Sequence, residues 1–285
     1  MSVTAQAFTR NRPQFKLPPG ACDAHCHVFG PASKFPYAPN RRYTPQDAPK
    51  ETLRALHDHL GIDRAVIVQA SCHGTDNRAM LDCIASDPAR YRGVAIVDDG
   101  FTEADYDHLH AGGVRGVRFN FVKHLGGAPD MAMFHRVIDR IKERGWHMVL
   151  HLNEDNIIPL RDMIASLPVP FVIDHMGRVD AKKGVDTPEF RTLLELVRRD
   201  NGWVKVTGAE RISFPPYSEA LPIAQALVKA GNGRVLWGTD FPHPNPSHEA
   251  DEAELVDLVP VFAPTAAEQQ RVLVDNPERL YGFGT

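Results

Sequence analysis

Eight short β-rich runs, most followed by an amphipathic helical stretch, recur between residues 22 and 239, and this alternation restricts the fold more than any other feature of the chain. The runs fall at 22–28, 65–69, 92–97, 114–119, 147–152, 171–175, 203–207 and 235–239. Helical windows with apolar residues at three-to-four spacing lie at 50–60, 77–86, 131–144, 157–166, 188–199 and 218–230. Parallel strands need long crossovers, which these windows supply, and eight such units close on themselves. The expected fold is therefore α/β, a (β/α)8 TIM barrel. Local signals agree: Thr187 is placed to cap a helix that starts with Pro188, and Gly61, Gly145 and Gly231 each follow a helical run. Beyond the eighth run, 251–259, 265–274 and 276–281 read as extra C-terminal helices on the outside. Residues 1–20, with Arg10, Arg12 and Lys16 but no long apolar stretch, read as an N-terminal arm, leaving 21–285 as a single catalytic barrel domain.

Charge narrows the partners. The formal net charge is -4 and no dense run of Lys or Arg occurs, so nucleic acid and membrane surfaces are not expected partners. The four cysteines, Cys22, Cys26, Cys72 and Cys83, form no CxxC pair, which fits a reduced, cytoplasmic compartment. A small molecule bound by a monomer or small homo-oligomer is the expectation.

The chemistry gathers at the predicted strand ends. His25 and His27 in Asp23-Ala24-His25-Cys26-His27 are two apart on a strand and so share a face, which in a barrel is the interior. His151 lies near the end of the fifth run, His175 ends the sixth, and Asp240 follows the eighth. One histidine at a strand end is weak, but all of these at the carboxyl rim, where barrel active sites lie, point to a catalytic site. A carboxylate beside imidazoles can act as general base on water, and histidines aimed at a carbonyl oxygen stabilise the charge developing there. Arg118 and Arg211 lie near the ends of the fourth and seventh runs, where a planar fork suits a substrate carboxylate. His57, His59, His108, His110 and His135 fall in helical windows and are expected at the surface, as are Arg115 and Lys123.

The pattern of HxH, two later histidines and a final Asp resembles the amidohydrolase superfamily. Over nearly its whole length the chain is similar to the 2-pyrone-4,6-dicarboxylate lactonase group, in the stretches 23–31, 35–43, 68–77, 113–123, 174–178 and 236–245. The resemblance implies a barrel of the amidohydrolase type and a hydrolase of aromatic-acid catabolism that opens a carboxylated lactone, 2-pyrone-4,6-dicarboxylate or a muconolactone. It assigns proton removal from water to Asp240 and carbonyl polarisation to His25, His27 and His175. Arg118, Arg211, Tyr43 and Ser71 match substrate-binding positions.

Two positions depart from that group: His124 stands where it has an arginine, and His151 where it has a tyrosine. Both are counted as substrate-binding residues here, but a histidine carries only part of a charge at neutral pH. His151 also completes a set with His25, His27 and Asp240 that suits one divalent ion, zinc by ligand type, with a position open for water. The rival metal-free arrangement uses His151 as a hydrogen-bond donor to substrate. Rival functions are a metal-dependent decarboxylase or hydratase on the same barrel, and a non-catalytic ligand-binding protein.

Overall fold

The computed structural model describes residues 11–231, 233–244 and 248–283. Eight strands, β1 (Cys22–Cys26), β2 (Arg64–Val68), β3 (Tyr91–Ala95), β4 (Val114–Asn120), β5 (His147–His151), β6 (Phe171–Ile173), β7 (Gly202–Lys205) and β8 (Val235–Leu236), form a parallel sheet in sequence order. Backbone bonds from Ala24 N to Trp237 O, Asp240 N to His25 O and His27 N to Phe241 O, each 2.8 Å, join the end of β8 to β1 and close the barrel.

The crossovers are α1 (Lys50–Leu60), α2 (Arg78–Ser86), α3 (Glu103–Ala111), α4 (Met131–Glu143), α5 (Glu154–Ala165), α6 (Pro188–Arg198) and the pair α7 (Ala209–Ile212) and α8 (Ala220–Ala230). After β8 come α9 (Glu252–Asp257), α10 (Val259–Phe262), α11 (Ala266–Gln270) and α12 (Asn276–Tyr281), with a wider turn at Arg271–Asp275 between the last two. The arm is laid on this C-terminal layer through Phe15 N to Asp257, 2.7 Å, and Asn11 to Asp251, 2.9 Å.

Strand alternation sorts the core into two layers. Ala65 and Ile67 of β2, Met148 and Leu150 of β5 and Val204 of β7 pack outward against the helices. Val66, Val68, Val149 and Trp203 point inward, where Tyr281 and Phe283 from the C-terminal end join the inner cluster. At about 25 cal/mol per Å2 of apolar area removed from water, this double burial is the main stabilising term of such a fold.

Three expectations change. The α3 helix is additional: its only buried side chains are Tyr106 and Leu109, too few for a clear period, and a capping box between Thr102 and Asp105 fixes its start. The first, third, sixth, seventh and eighth strands end two or three residues earlier than expected, at Cys26, Ala95, Ile173, Lys205 and Leu236, because the chain leaves the sheet as it reaches the rim. His57 is fully buried rather than at the surface, since α1 lays it on β1 with Nε2 3.2 Å from Asp23 Oδ2.

Candidate active site

The first local device is a bulge in β1. Asp23 pairs with Ala65 and Cys26 with Ile67, so three steps on β1 match two on β2. Ala24 and His25 both occupy the place opposite Val66, and the register then carries Cys26 outward and His27 inward. Two imidazoles thus enter the interior from one strand, while Asp23 faces outward toward α1.

Asp23 ties that strand to the end of β8. Its Oδ1 accepts from His25 N and Thr239 N, both at 3.0 Å, and its Oδ2 accepts from the Thr239 hydroxyl at 2.5 Å. Asp240, the next residue, has φ of 61°, a left-handed conformation that Asp tolerates better than most side chains. With its backbone held on His25, its carboxylate is directed at the histidines.

At the centre, Asp240 Oδ1 lies 3.3 Å from His27 Nε2, 3.6 Å from His25 Nε2 and 4.0 Å from His175 Nε2, all buried. Arg211 grips the other oxygen, Oδ2, through Nε at 2.7 Å and Nη2 at 2.5 Å. Burial alone raises the Asp240 pKa, but the Arg211 guanidinium and then His175, His27 and His25 outweigh it and hold the carboxyl well below the usual range. Burial lowers His25 to about 4, with the Lys205 ammonium acting in the same direction. His175 is held well below 6.5 by burial, and so is His151, with Arg118 adding to the effect there. The site thus presents an ionised carboxylate near His25, His151 and His175 rings that resist protonation, a distribution that suits a base with neutral hydrogen-bonding groups around it.

A second layer supports the histidines. His27 Nδ1 lies 2.7 Å from Val68 O, an atom that only accepts, so Nδ1 carries the hydrogen and Nε2 turns a lone pair toward Asp240. His175 Nδ1 is 2.9 Å from the Thr207 hydroxyl. Lys205, fully buried on β7, places Nζ 3.0 Å from His25 Nδ1 and 3.1 Å from Asp174 Oδ1, and Arg118 Nε donates to Asp174 Oδ2 at 3.0 Å. Burial opposes ionisation of Asp174, but Lys205, His25 and Arg118 together hold its carboxyl well below the usual range.

The cavity over this floor is lined by His27, Tyr43, Ser71, Arg118, His124, Leu125, His151, His175, Arg178, Arg211, Asp240 and Pro244. The structure therefore brings the expected residues to one place, but not always with the expected partners. His151 stands outside the proposed metal set: His25, His27 and Asp240 converge, whereas the His151 ring is 5.5 Å from that of His175, which is the closer neighbour of His25 at 4.5 Å. The reason is angular: β6 follows β5 around the barrel, and His175 at its end lies beside both His25 and His151. Both His151 nitrogens lack a hydrogen-bond partner among the described residues. Arg211 is engaged by Asp240 and by Pro244 O at 2.7 Å, so it orients the carboxylate. His124 is exposed on the rim, where partial desolvation by the cavity wall, then Arg178, lowers its pKa below 6.5, so it adds little positive charge. Asn245, in the last similar stretch, lies outside the described residues.

Lys205, Asp174 and Arg178 were not anticipated as site residues. A lone lysine at an inward register position in Gly202–Lys205 was the available signal for the first.

The donor set fits an ion. His25 Nε2 and Asp240 Oδ1 have no hydrogen-bond partner among the described residues, and the His27 lone pair faces the same carboxylate oxygen. Two acceptors 3.3 Å apart require a cation between them, a proton or a metal. Three protein ligands with a position left for water is the arrangement of a catalytic zinc site.

Similarity to known proteins matches this geometry. An amidohydrolase family model matches residues 22–283. The 2-pyrone-4,6-dicarboxylate hydrolase of Comamonas testosteroni is 48% identical over 283 aligned positions, covering 95% of this chain and 93% of that protein. The 4-sulfomuconolactone hydrolase of Hydrogenophaga intermedia is 40% identical, covering 94% and 91%. A Pseudomonas putida structure assigned to 2-pyrone-4,6-dicarboxylic acid hydrolase superposes with a TM-score of 0.81 at 34% identity, covering 94% of this chain and 100% of its own. With the barrel, the rim histidines and the final aspartate in place, the chain belongs to the amidohydrolase family.

Proposed function

We propose that this protein hydrolyses the ring ester of a carboxylated lactone, 2-pyrone-4,6-dicarboxylate or a muconolactone, in the breakdown of aromatic acids. The observation that carries the reading is the Asp240 carboxylate, ionised and locked by Arg211, facing His27 and His25 at 3.3 and 3.6 Å on the floor of a cation-lined cavity. The names of the 48% and 40% identical relatives supply the substrate class.

In this reading Asp240 Oδ1 takes a proton as water oxygen bonds to the lactone carbonyl carbon. His175, its Nδ1 set against Thr207, directs Nε2 at the carbonyl oxygen where charge develops. The tetrahedral carbon then expels the ring oxygen, which receives the proton from Asp240, and a ring-opened acid leaves. His151, with both nitrogens free of protein partners among the described residues, hydrogen-bonds the substrate, as do Tyr43 and Ser71.

One divalent ion, zinc by its nitrogen and carboxylate donors, would be held by His25, His27 and Asp240. When bound it supplies a lowered pKa for water and polarisation of the carbonyl. A metal-free variant of the reading is favoured by Lys205: an ammonium donates to His25 Nδ1, leaving the hydrogen on Nε2 as a carbonyl donor, whereas Asp174 Oδ1, 3.3 Å from the same Nδ1, would free Nε2 for an ion.

Turnover of a panel of pyrones and muconolactones in ¹⁸O-labelled water tests the function. The expected result is loss of lactone absorbance with one labelled oxygen in a new carboxylate. Carbon dioxide release, or addition of water across a carbon–carbon double bond with the ester intact, would place the enzyme among the decarboxylases or hydratases instead.

A further inference from the structure

The chain leaving β8 folds back on itself over residues 240–244, and two residues of this turn that carry a Cβ are left-handed, Asp240 with φ of 61° and His243 with φ of 58°. Each such residue costs on the order of 1–2 kcal/mol, and a conformation of this kind persists only where its surroundings enforce it. One restraint is the backbone bond from His243 N to Asp240 O at 2.7 Å. A second is the His243 side chain, which the chemistry above does not use.

His243 is buried between two carboxylates that are themselves buried and belong to different elements. Its Nδ1 lies 3.4 Å from Glu210 Oε1 in α7, and its Nε2 lies 3.2 Å from Glu252 Oε1 at the start of α9. Glu210 Oε1 is also 3.4 Å from Arg211 Nε, so one oxygen faces both the imidazole and the guanidinium. Arg211 in turn spans both ends of the turn: Nε and Nη2 hold Asp240 Oδ2, and Nη1 donates to Pro244 O at 2.7 Å. Burial works against the Arg211 charge, and Asp240 and then Glu210 outweigh it. Glu210, Asp240 and His243 also lie close enough together to hold a metal ion, but the cation in that corner is the Arg211 guanidinium. The contacts therefore run without a break from Glu252 through His243, Glu210 and Arg211 to the base.

We propose that His243 is a positioning residue for Asp240: clasped between Glu210 and Glu252, it fixes the turn after β8 and, through Glu210, the Arg211 fork that sets the plane of the carboxylate. His243 does not line the cavity, so it acts through Arg211 rather than on the substrate. This deepens the lactonase reading and rests on it for the reaction that Asp240 serves.

The test compares wild type with His243→Gly, His243→Asn and His243→Gln, each checked for an unchanged circular dichroism spectrum. Glycine and asparagine both accept a left-handed backbone, so that pair separates the side chain from the strain of the turn. The asparagine amide stands in for Nδ1, toward Glu210, whereas the glutamine amide matches Nε2, toward Glu252. His243→Gly should lower kcat about 10- to 100-fold with KM within about threefold of wild type, because a misplaced base slows water attack without altering the walls that hold the substrate. His243→Asn should recover kcat to within about fivefold of wild type, and His243→Gln should stay close to the glycine variant, in whose place it is read if that one does not fold. Crystal structures of the same variants read the positioning directly: His243→Gly should move the Arg211 fork off Asp240 Oδ2 or Pro244 O, and His243→Asn should keep both contacts. The proposal is overturned by a glycine variant whose kcat stays within about threefold of wild type, by a KM that rises in step with the fall in kcat, or by an Arg211 fork that has not moved. Failure of the lactonase reading looks different: the wild type opens no lactone, and the Arg211 geometry in the variant structures alone decides the role of His243.

Discussion

At Asp240 the two carboxylate oxygens have separate duties. Oδ2 is spent on Arg211, which keeps the group ionised and fixes its plane, while Oδ1 is left facing three imidazoles. The same division appears at His27, whose Nδ1 on Val68 O fixes the tautomer and leaves Nε2 for the site. That lone pair against a carboxylate is the basis for expecting an ion. Protein purified without chelator should hold close to one equivalent of zinc by elemental analysis, and His27→Ala should lower occupancy by more than about tenfold. Metal-free protein whose lactone opening ignores chelators would rule the ion out and leave the Lys205-directed hydrogen on His25 Nε2 as the carbonyl donor. His25, His27, His175 and Asp240 were legible as a cluster because strand ends of a parallel barrel converge. The exclusion of His151 was not, because strand order gives neighbours but not the angle at which each side chain enters.

Among the elements, the join between β1 and the end of β8 does the positioning. Asp23 receives hydrogen bonds from both segments, so one buried carboxylate aligns His25 with Thr239 and the residue after it. Asp23→Ala deletes the acceptor of four contacts, from His25 N, the Thr239 amide and hydroxyl and His57 Nε2, and strands their donors, a loss of about 4 kcal/mol at about 1 kcal/mol for each bond. Urea unfolding should show that loss with an unchanged m-value; a change under about 0.5 kcal/mol would show that Asp23 bears no such load. The alternation of His25 and His27 could be read from sequence, whereas the bulge before them could not, since nothing in Asp23-Ala24-His25 distinguishes a regular strand from one with an extra residue. The left-handed turn at His175–Arg178 was hidden for a similar reason. Gly177 hinted at one such position, but nothing in Met176 or Arg178 as residue types signals a left-handed backbone.

Over the whole molecule, the eight runs were readable because inner and outer layers bury both faces of each strand, which leaves apolar stretches bounded by turns. That burial also sets a pH dependence. Burial holds His25 at about 4 and His147 at about 3, and keeps His151 and His175 well below their ordinary value, whereas in the unfolded chain all four titrate near 6.5. Below pH 6.5 the unfolded state therefore binds protons that the fold refuses, and stability falls as pH falls toward the folded values. Asp174 and Asp240 are depressed, so their contribution persists above their ordinary range near 4 and is lost only at still lower pH. Thermal unfolding should thus move steadily down between pH 7 and pH 5, with each buried histidine contributing up to about 2 kcal/mol at pH 5; a flat or rising profile would contradict their burial in the neutral form. The claim on which the whole account stands is that Asp240 manages the water, and the direct measurement is lactone opening by Asp240→Asn beside wild type. The account predicts a fall in kcat of about a hundred- to ten-thousand-fold in a folded variant, and a rate within about twofold of wild type would contradict it.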